Sequence, residues 1–292
     1  MSLFEESIFA LMIMGCSLSA ANVETKGQPK PQKLVARFEH CAFNVPDPVA
    51  AAAWYGKNLG MKVMRADTAP PYTTFIADSG AHMMMELYHN ADYPLLNPGA
   101  IHYMSIHLAF TVDDIAAMKT KLVDAGAAIV DTLRKTSSGD QVMTLRDPWG
   151  LPIQFVQRII PMLPFGGVHL EHFAVNVADS KAKAQWYEDN LGFVLLRSGG
   201  SIFIADSSKN MMFEFYTNTG APLMQYDSIS YMANHTAFVV GDMASARVVL
   251  LAAGAKLQTD IAKTASSDLV MMMRDPWGQP IQFVKRAAPM LK

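Results

Sequence analysis

The chain has 292 residues, of which 51% are apolar and 17% charged, with a formal net charge of −2. That balance suits a packed globular protein rather than a disordered one, and it gives no electrostatic reason to expect a nucleic-acid partner. The length accommodates two domains of ordinary size, and no glycine-rich loop between a strand and a helix suggests a phosphate-binding turn.

At the N-terminus, "SIFALMIMGCSLSAA" (Ser7 to Ala21) is apolar and then small, and it runs into the polar "NVETKGQPKPQK". This is the order of a secretory signal, with residues 1–21 as leader and 22–36 as linker; the apolar run is too short to span a bilayer. "IMGC" also resembles a loose lipobox that would lipidate Cys16, so membrane contact is expected only through such an anchor. The expectation is an exported chain, periplasmic, secreted or lipid-anchored. The opening "MSLFEES" carries no Lys or Arg, which keeps a cytoplasmic chain as the alternative. The only other cysteine, Cys41, sits between apolar neighbours and is expected in the core.

From Phe38 the chain repeats itself. "FEHCAFNVPDPVAAAAWYGKNLGMKVMR" (Phe38 to Arg65) aligns without gaps on "LEHFAVNVADSKAKAQWYEDNLGFVLLR" (Leu170 to Arg197), with half of the positions identical. "RDPWGLPIQFV" (Arg146 to Val156) returns with one change as "RDPWGQPIQFV" (Arg274 to Val284). A repeat this long is a duplicated globular domain and not a solenoid. The domains are expected at 37–158 and 169–286, joined by 159–168 and followed by a tail at 287–292.

Each half contains a finer repeat, taken in order from Phe38, His107, Leu170 and His235. Asp47, Asp114, Asp179 and Asp242 each end a strand and are placed to cap a helix. Gly60, Gly126, Gly192 and Gly254 sit where a left-handed residue would close that helix. Two or three short alternating strands follow, and in the second and fourth copies Asp-Pro-Trp-Gly supplies a turn. Each copy is therefore expected to be β-α-β-β-β. On the first strand, His40, Ala42 and Asn44 share one face, while Cys41, Phe43 and Val45 share the helix-facing one. Met84, Glu86 and Tyr88 share a face, as do Met212, Glu214 and Tyr216. A carboxylate thus stands twice among apolar strand residues, where burial without a partner is costly and a cation is one remedy. Met83 to Met85 and Met271 to Met273 are expected to fill core and cup, and Trp149 and Trp277 to pack the domains.

This plan resembles the vicinal oxygen chelate superfamily, the group of glyoxalase I, bleomycin-resistance proteins and extradiol dioxygenases. The resemblance spans Arg37 to Arg286 and rests on "EHCAFNV", "WYGKNLGM", "MMMELY", "IHLAF" and "RDPWGLPIQF" with their counterparts. It implies an α+β fold of two tandem domains, each of two βαβββ units forming an open curled sheet. It also implies a metal at the positions of His40, Glu86, His107, Gln154, His172, Glu214, His235 and Gln282. Whether units pair one with two and three with four, or one with four and two with three, is left open; either way each cup receives two His, one Glu and one Gln.

In the glyoxalase branch the position of Gln154 and Gln282 is usually a glutamate that both ligates and moves a proton. Glutamine can offer a carbonyl oxygen but takes no proton at neutral pH. Glu86 and Glu214 are then the remaining candidates for proton transfer. The resemblance implies a divalent metal (Zn, Ni, Co, Mn or Fe), a small-molecule substrate or ligand, and self-association into a homodimer. The leading expectation is a glyoxalase-type lyase or isomerase acting on a small oxygen-rich molecule. A sequestering protein of the bleomycin-resistance type is the alternative, and a ring-cleaving dioxygenase comes third.

Overall fold

The computed structural model describes residues 34–95, 101–226 and 229–291. The expected leader with Cys16 lies outside the described residues, as does most of the 22–36 linker. Among the described residues no helix is long and apolar enough to cross a membrane.

Four βαβββ units follow one another. The first holds β1 (Arg37–Asn44), α1 (Pro48–Leu59), β2 (Lys62–Ala66), β3 (Thr74–Ala77) and β4 (Met84–Tyr88). The second holds β5 (Ile106–Thr111), α2 (Ile115–Asp124), β6 (Ala128–Lys135), β7 (Gln141–Arg146) and β8 (Pro152–Gln157). The third holds β9 (His169–Asn176), α3 (Ser180–Leu191), β10 (Val194–Arg197), β11 (Ser201–Ala205) and β12 (Met212–Tyr216). The fourth holds β13 (Asn234–Val239), α4 (Met243–Ala252), β14 (Lys256–Lys263), β15 (Leu269–Arg274) and β16 (Pro280–Lys285).

The helices begin and end as their sequence dictates. Each of the four aspartates accepts backbone N–H bonds from the first turn of the helix it precedes. Gly60 and Gly192 are left-handed at the C-cap, with φ of 71° and 77°; Gly126 and Gly254 do the same work one residue beyond Ala125 and Ala253.

Unit one shares a sheet with unit four, and unit two with unit three. The strand orders are β14-β15-β16-β13-β1-β4-β3-β2 and β10-β11-β12-β9-β5-β8-β7-β6, and neither sheet closes on itself. Each open sheet therefore takes one unit from each half of the sequence repeat, joined by the antiparallel pairs β1–β13 and β5–β9.

The helix-side contacts instead run within each half. Trp54 Nε1 on α1 donates to the Ala125 carbonyl that ends α2, and Trp186 Nε1 on α3 donates to Ala253 after α4, both at 2.8 Å. The Asp-Pro-Trp-Gly turn takes part in the same tie. Asp147 Oδ1 accepts from the backbone of Trp149 and Leu151, while its Oδ2 accepts from Tyr55 on α1 at 2.8 Å. Asp275 repeats this with Trp277, Gln279 and Tyr187. The turn occurs twice because each half needs one to fasten its odd-numbered helix to its even-numbered unit. One contiguous core lies on the helix-facing side, with Cys41, Phe43, Met85, Leu108, Phe173 and Phe238 all buried in it. The other face of each sheet is the cup.

Candidate metal centres

Register decides which side chains meet in the cups, because directly paired strand residues point to the same face. In the first sheet Glu86, Ala42 and His235 lie side by side, and Met84, His40, Ala237 and Gln282 form the next row. In the second sheet the rows are Glu214, Ala174, His107 and Met212, His172, Ala109, Gln154. An alanine separates the chemical side chains at each step, leaving room for them to converge. All eight residues expected from the sequence fall at these positions.

Three of each four converge closely. His40, Glu86 and His235 form one group and His107, His172 and Glu214 the other, with one ligand atom per residue all within 4.8 Å of one another. Glu86 Oε2 lies 3.1 Å from His40 Nε2 and 3.5 Å from His235 Nε2. Glu214 Oε2 lies 3.2 Å from His172 Nε2 and 3.8 Å from His107 Nε2. The imidazoles are buried and the carboxylates open only slightly to the cup. Gln154 lines the same cavity of about 630 Å³ as His107, His172 and Glu214. Gln282 is half-buried at the matching register position.

Four buried imidazole Nε2 atoms, those of His40, His107, His172 and His235, make no hydrogen bond. Each faces a carboxylate oxygen that is close enough for charge attraction but out of hydrogen-bonding alignment. A buried polar atom without a partner is costly, and a divalent cation between imidazole nitrogen and carboxylate oxygen would satisfy all of them. The donor set fits such an ion.

Three of the four Nδ1 atoms are held from behind, while that of His235 makes no hydrogen bond. His40 Nδ1 meets Glu39 Oε2 at 2.9 Å and His172 Nδ1 meets Glu171 Oε2 at 2.8 Å. With the Nδ1 proton directed to a carboxylate, the Nε2 lone pair is presented to the cup, as in a carboxylate–histidine–metal arrangement. His107 Nδ1 uses the Tyr103 carbonyl at 3.1 Å instead. Glu39 is gripped by Arg286 at 2.8 and 2.6 Å, and Glu171 by Arg158 at 2.8 and 2.7 Å. These four residues were not singled out from the sequence, although the repeated "EH" and the arginine closing each "QFV" strand carried the signal.

Charge in the cups follows from this packing. Burial opposes ionisation of Glu214, but the close approach and charge of His172, with that of His107, outweigh it and hold the carboxyl at about 2. Burial likewise resists ionisation of Glu86, and His40 and His235 together bring it well below the usual range. Burial disfavours a charged His40, yet Glu86 and Glu39 raise it above the ordinary imidazole value; for His172, Glu171 and Glu214 do the same. Burial dominates for His107, pushed down to about 4, and lowers His235. The carboxyls of Glu86 and Glu214 are thus favoured as anions, and within each cup burial and the facing carboxylates shift the two imidazoles in opposite directions.

His82, His89, His102 and His169 lack a repeat partner and stand apart from these groups. His82 stacks on Phe165 and His169 bonds Thr111. Met84 and Met272 flank the ligand rows on the cup side, while Met83, Met85, Met271 and Met273 are core.

The sequence model of the Glyoxalase/Bleomycin resistance protein/Dioxygenase superfamily matches residues 37–155 and again 169–283. The chain belongs to that superfamily. It is 33% identical over 106 residues to the ethylmalonyl-CoA/methylmalonyl-CoA epimerase of Cereibacter sphaeroides, a match spanning 33% of this chain and 76% of that protein. Its fold is similar to that of glyoxalase I from Zea mays, with TM-score 0.67 at 18% identity, covering 86% of this chain and 92% of that one. A mutant form of the same plant enzyme gives TM-score 0.69 at 20% identity, covering 86% and 92%.

Proposed function

We propose that this chain is a divalent-metal lyase or isomerase of the glyoxalase type. His40, Glu86, His235 and Gln282 would hold one metal, and His107, Glu214, His172 and Gln154 the other. The observation carrying this is the set of four buried, unpartnered Nε2 atoms, each aimed at a buried carboxylate. The similarity to an epimerase and to glyoxalase I supports a reaction that moves a proton beside a carbonyl.

The ion would supply Lewis acidity toward a substrate presenting two adjacent oxygens. The protein's own part is positional. Glu39 and Glu171 fix the tautomer and ring plane of His40 and His172. The glutamines offer a neutral carbonyl oxygen and leave proton movement to Glu86 and Glu214. Of each glutamate's two oxygens, one would face the ion and the other the substrate's acidic C–H.

A second reading has one specific observation behind it. With a glutamine where a general base would stand, the cups would chelate and sequester a small molecule without turning it over. Elemental analysis of untagged protein, with His40→Ala/His172→Ala beside it, tests the metal: up to two ions per chain are expected, lost in the double variant. Full occupancy in that variant would refute the ligand assignment. A screen of thiohemiacetals and catechols for turnover then separates enzyme from binder.

A further inference from the structure

The two cups share their ligands but not their walls. In the second sheet, Arg197 on β10 pairs with Phe203, which pairs with Glu214, so it lies two strands from the glutamate on the same face, roughly 10 Å by strand spacing. Its guanidinium lies over the Phe203 ring, 4.4 Å from the centroid. On the opposite wall, Arg134 on β6 pairs with Val142, which pairs with Val156, the strand neighbour of Gln154 two residues on. Both arginines line the cavity of about 630 Å³ that contains His107, His172, Glu214 and Gln154.

The first sheet has a different wall. The partner of Val270, at the place of Arg134, is Ala262. Arg65, at the place of Arg197, is bonded to Asp268 at 3.2 Å. Arg197 stands 3.7 Å from the matching Asp140, beyond hydrogen-bond reach, and each aspartate also receives a second arginine, Arg158 at 3.0 Å on Asp140 and Arg286 at 2.8 Å on Asp268. Among the described residues Arg134 has only an ion pair with Asp131, three residues away on its own strand and partly open to solvent. Such a pair is worth little and is readily exchanged. The cup of units two and three therefore carries two guanidiniums on facing walls, one in a solvent-open pair and one in a long pair, whereas at these positions the other cup carries a single arginine, hydrogen-bonded to Asp268.

We propose that the cup formed by units two and three selects a substrate bearing an anionic group, a carboxylate or phosphate, at the end remote from its chelating oxygens. Arg134 and Arg197 clamp that group, and the cup of units one and four binds such a substrate more weakly. This rests on the metal-chelation reading for the orientation of the ligand. Two guanidiniums on opposite walls suit a planar or tetrahedral oxyanion between them. The hydroxyl of Ser137 on the same lining is a further donor.

The test uses two hydroxamates that chelate metal through adjacent oxygens: neutral acetohydroxamate and succinic monohydroxamate, which adds a remote carboxylate. Both are titrated calorimetrically into the nickel-loaded chain. Acetohydroxamate is expected at two similar sites, and the acid probe at one site about tenfold tighter than the other, as a charge-assisted contact provides. Arg134→Ala with Arg197→Ala should abolish the tight site and leave acetohydroxamate binding and nickel content unchanged. Ala262→Arg should strengthen the weak one, a gain that misfolding cannot mimic. Equal affinities for the acid probe at both sites, or a tight site surviving the double arginine variant, would overturn the proposal while the metal reading stands. If nickel does not load and neither hydroxamate binds, the metal reading fails. Pyrophosphate titrated into the metal-free chain and the double variant then decides: arginine-dependent binding sustains the anion clamp and its absence removes it.

Discussion

Arg286 grips Glu39 through two hydrogen bonds of 2.8 and 2.6 Å, and Glu39 in turn holds Nδ1 of His40 at 2.9 Å. Arg286 closes the fourth unit and Glu39 opens the first, so the chain that orients His40 crosses between sequence halves. Arg158, Glu171 and His172 repeat it in the other cup. Replacing Glu39 and Glu171 by glutamine keeps the shape but removes the charge behind each imidazole. Metal affinity should fall by about 10- to 100-fold at both sites, the usual effect of losing such a partner. Competition with a chromophoric chelator measures it, and unchanged affinity would mean that the imidazoles do not bind through Nε2.

The glutamines offer the complementary change. Gln154→Glu with Gln282→Glu adds a charged oxygen to each ligand set. Divalent binding should tighten by roughly 1.5–3 kcal/mol, about tenfold or more. The added carboxylate would also be a base, so isomerisation of a thiohemiacetal should appear or rise. Glu86→Gln with Glu214→Gln should weaken binding, leaving both cups without an anionic ligand. If neither pair alters affinity, these four side chains do not face a metal.

Metal binding should also release protons. His40 and His172 hold a proton above the ordinary imidazole value because buried glutamates face both ring nitrogens. An incoming cation must displace that proton, so affinity should fall as pH drops through the imidazole range and level off above it. His107, pushed down to about 4, is already neutral and contributes no such loss between pH 5 and 8. Calorimetry in two buffers of different ionisation enthalpy counts the protons, with about one per site expected at pH 6. A heat independent of buffer would contradict this.

Much of this was legible in the sequence because the chain repeats itself. His40, His107, His172 and His235 could be recognised together, although any one of them alone would have passed for a packing residue. The pairing of units was not legible, since both arrangements satisfy the same alternation of faces and bring the same ligand types together. Glu39 and Glu171 were visible as a repeated "EH", but a neighbour in sequence on a strand points to the opposite face, and only the structure shows each carboxylate curling back to Nδ1. Arg134 was invisible for the opposite reason. Its repeat partner is Ala262, and searching for what two halves share conceals what one half has alone.

The same asymmetry bears on stability in the core. Asp275 is met by Lys183 at 2.8 Å, both fully buried, whereas the residue of α1 equivalent to Lys183 is Ala51. Lys183→Ala should destabilise by about 3–5 kcal/mol, because it leaves a buried carboxylate without its cation. Asp147 has no such partner, and burial raises its carboxyl to about 6 despite the bonds from Tyr55 and the turn backbone. A folded-state value above the unfolded one means that its contribution is fully present below about pH 4 and is lost as pH rises through about 6. Asparagine can replace it with little change in geometry. Its oxygen would keep the Trp149 and Leu151 N–H bonds, and its amide would donate to the Tyr55 hydroxyl. Urea unfolding at pH 5 and pH 8 should therefore show Asp147→Asn gaining on the parent chain by about 1.5 kcal/mol between the lower and the higher pH. An equal difference at the two pH values would show that Asp147 ionises as readily folded as unfolded, and that the turn backbone compensates its burial in full.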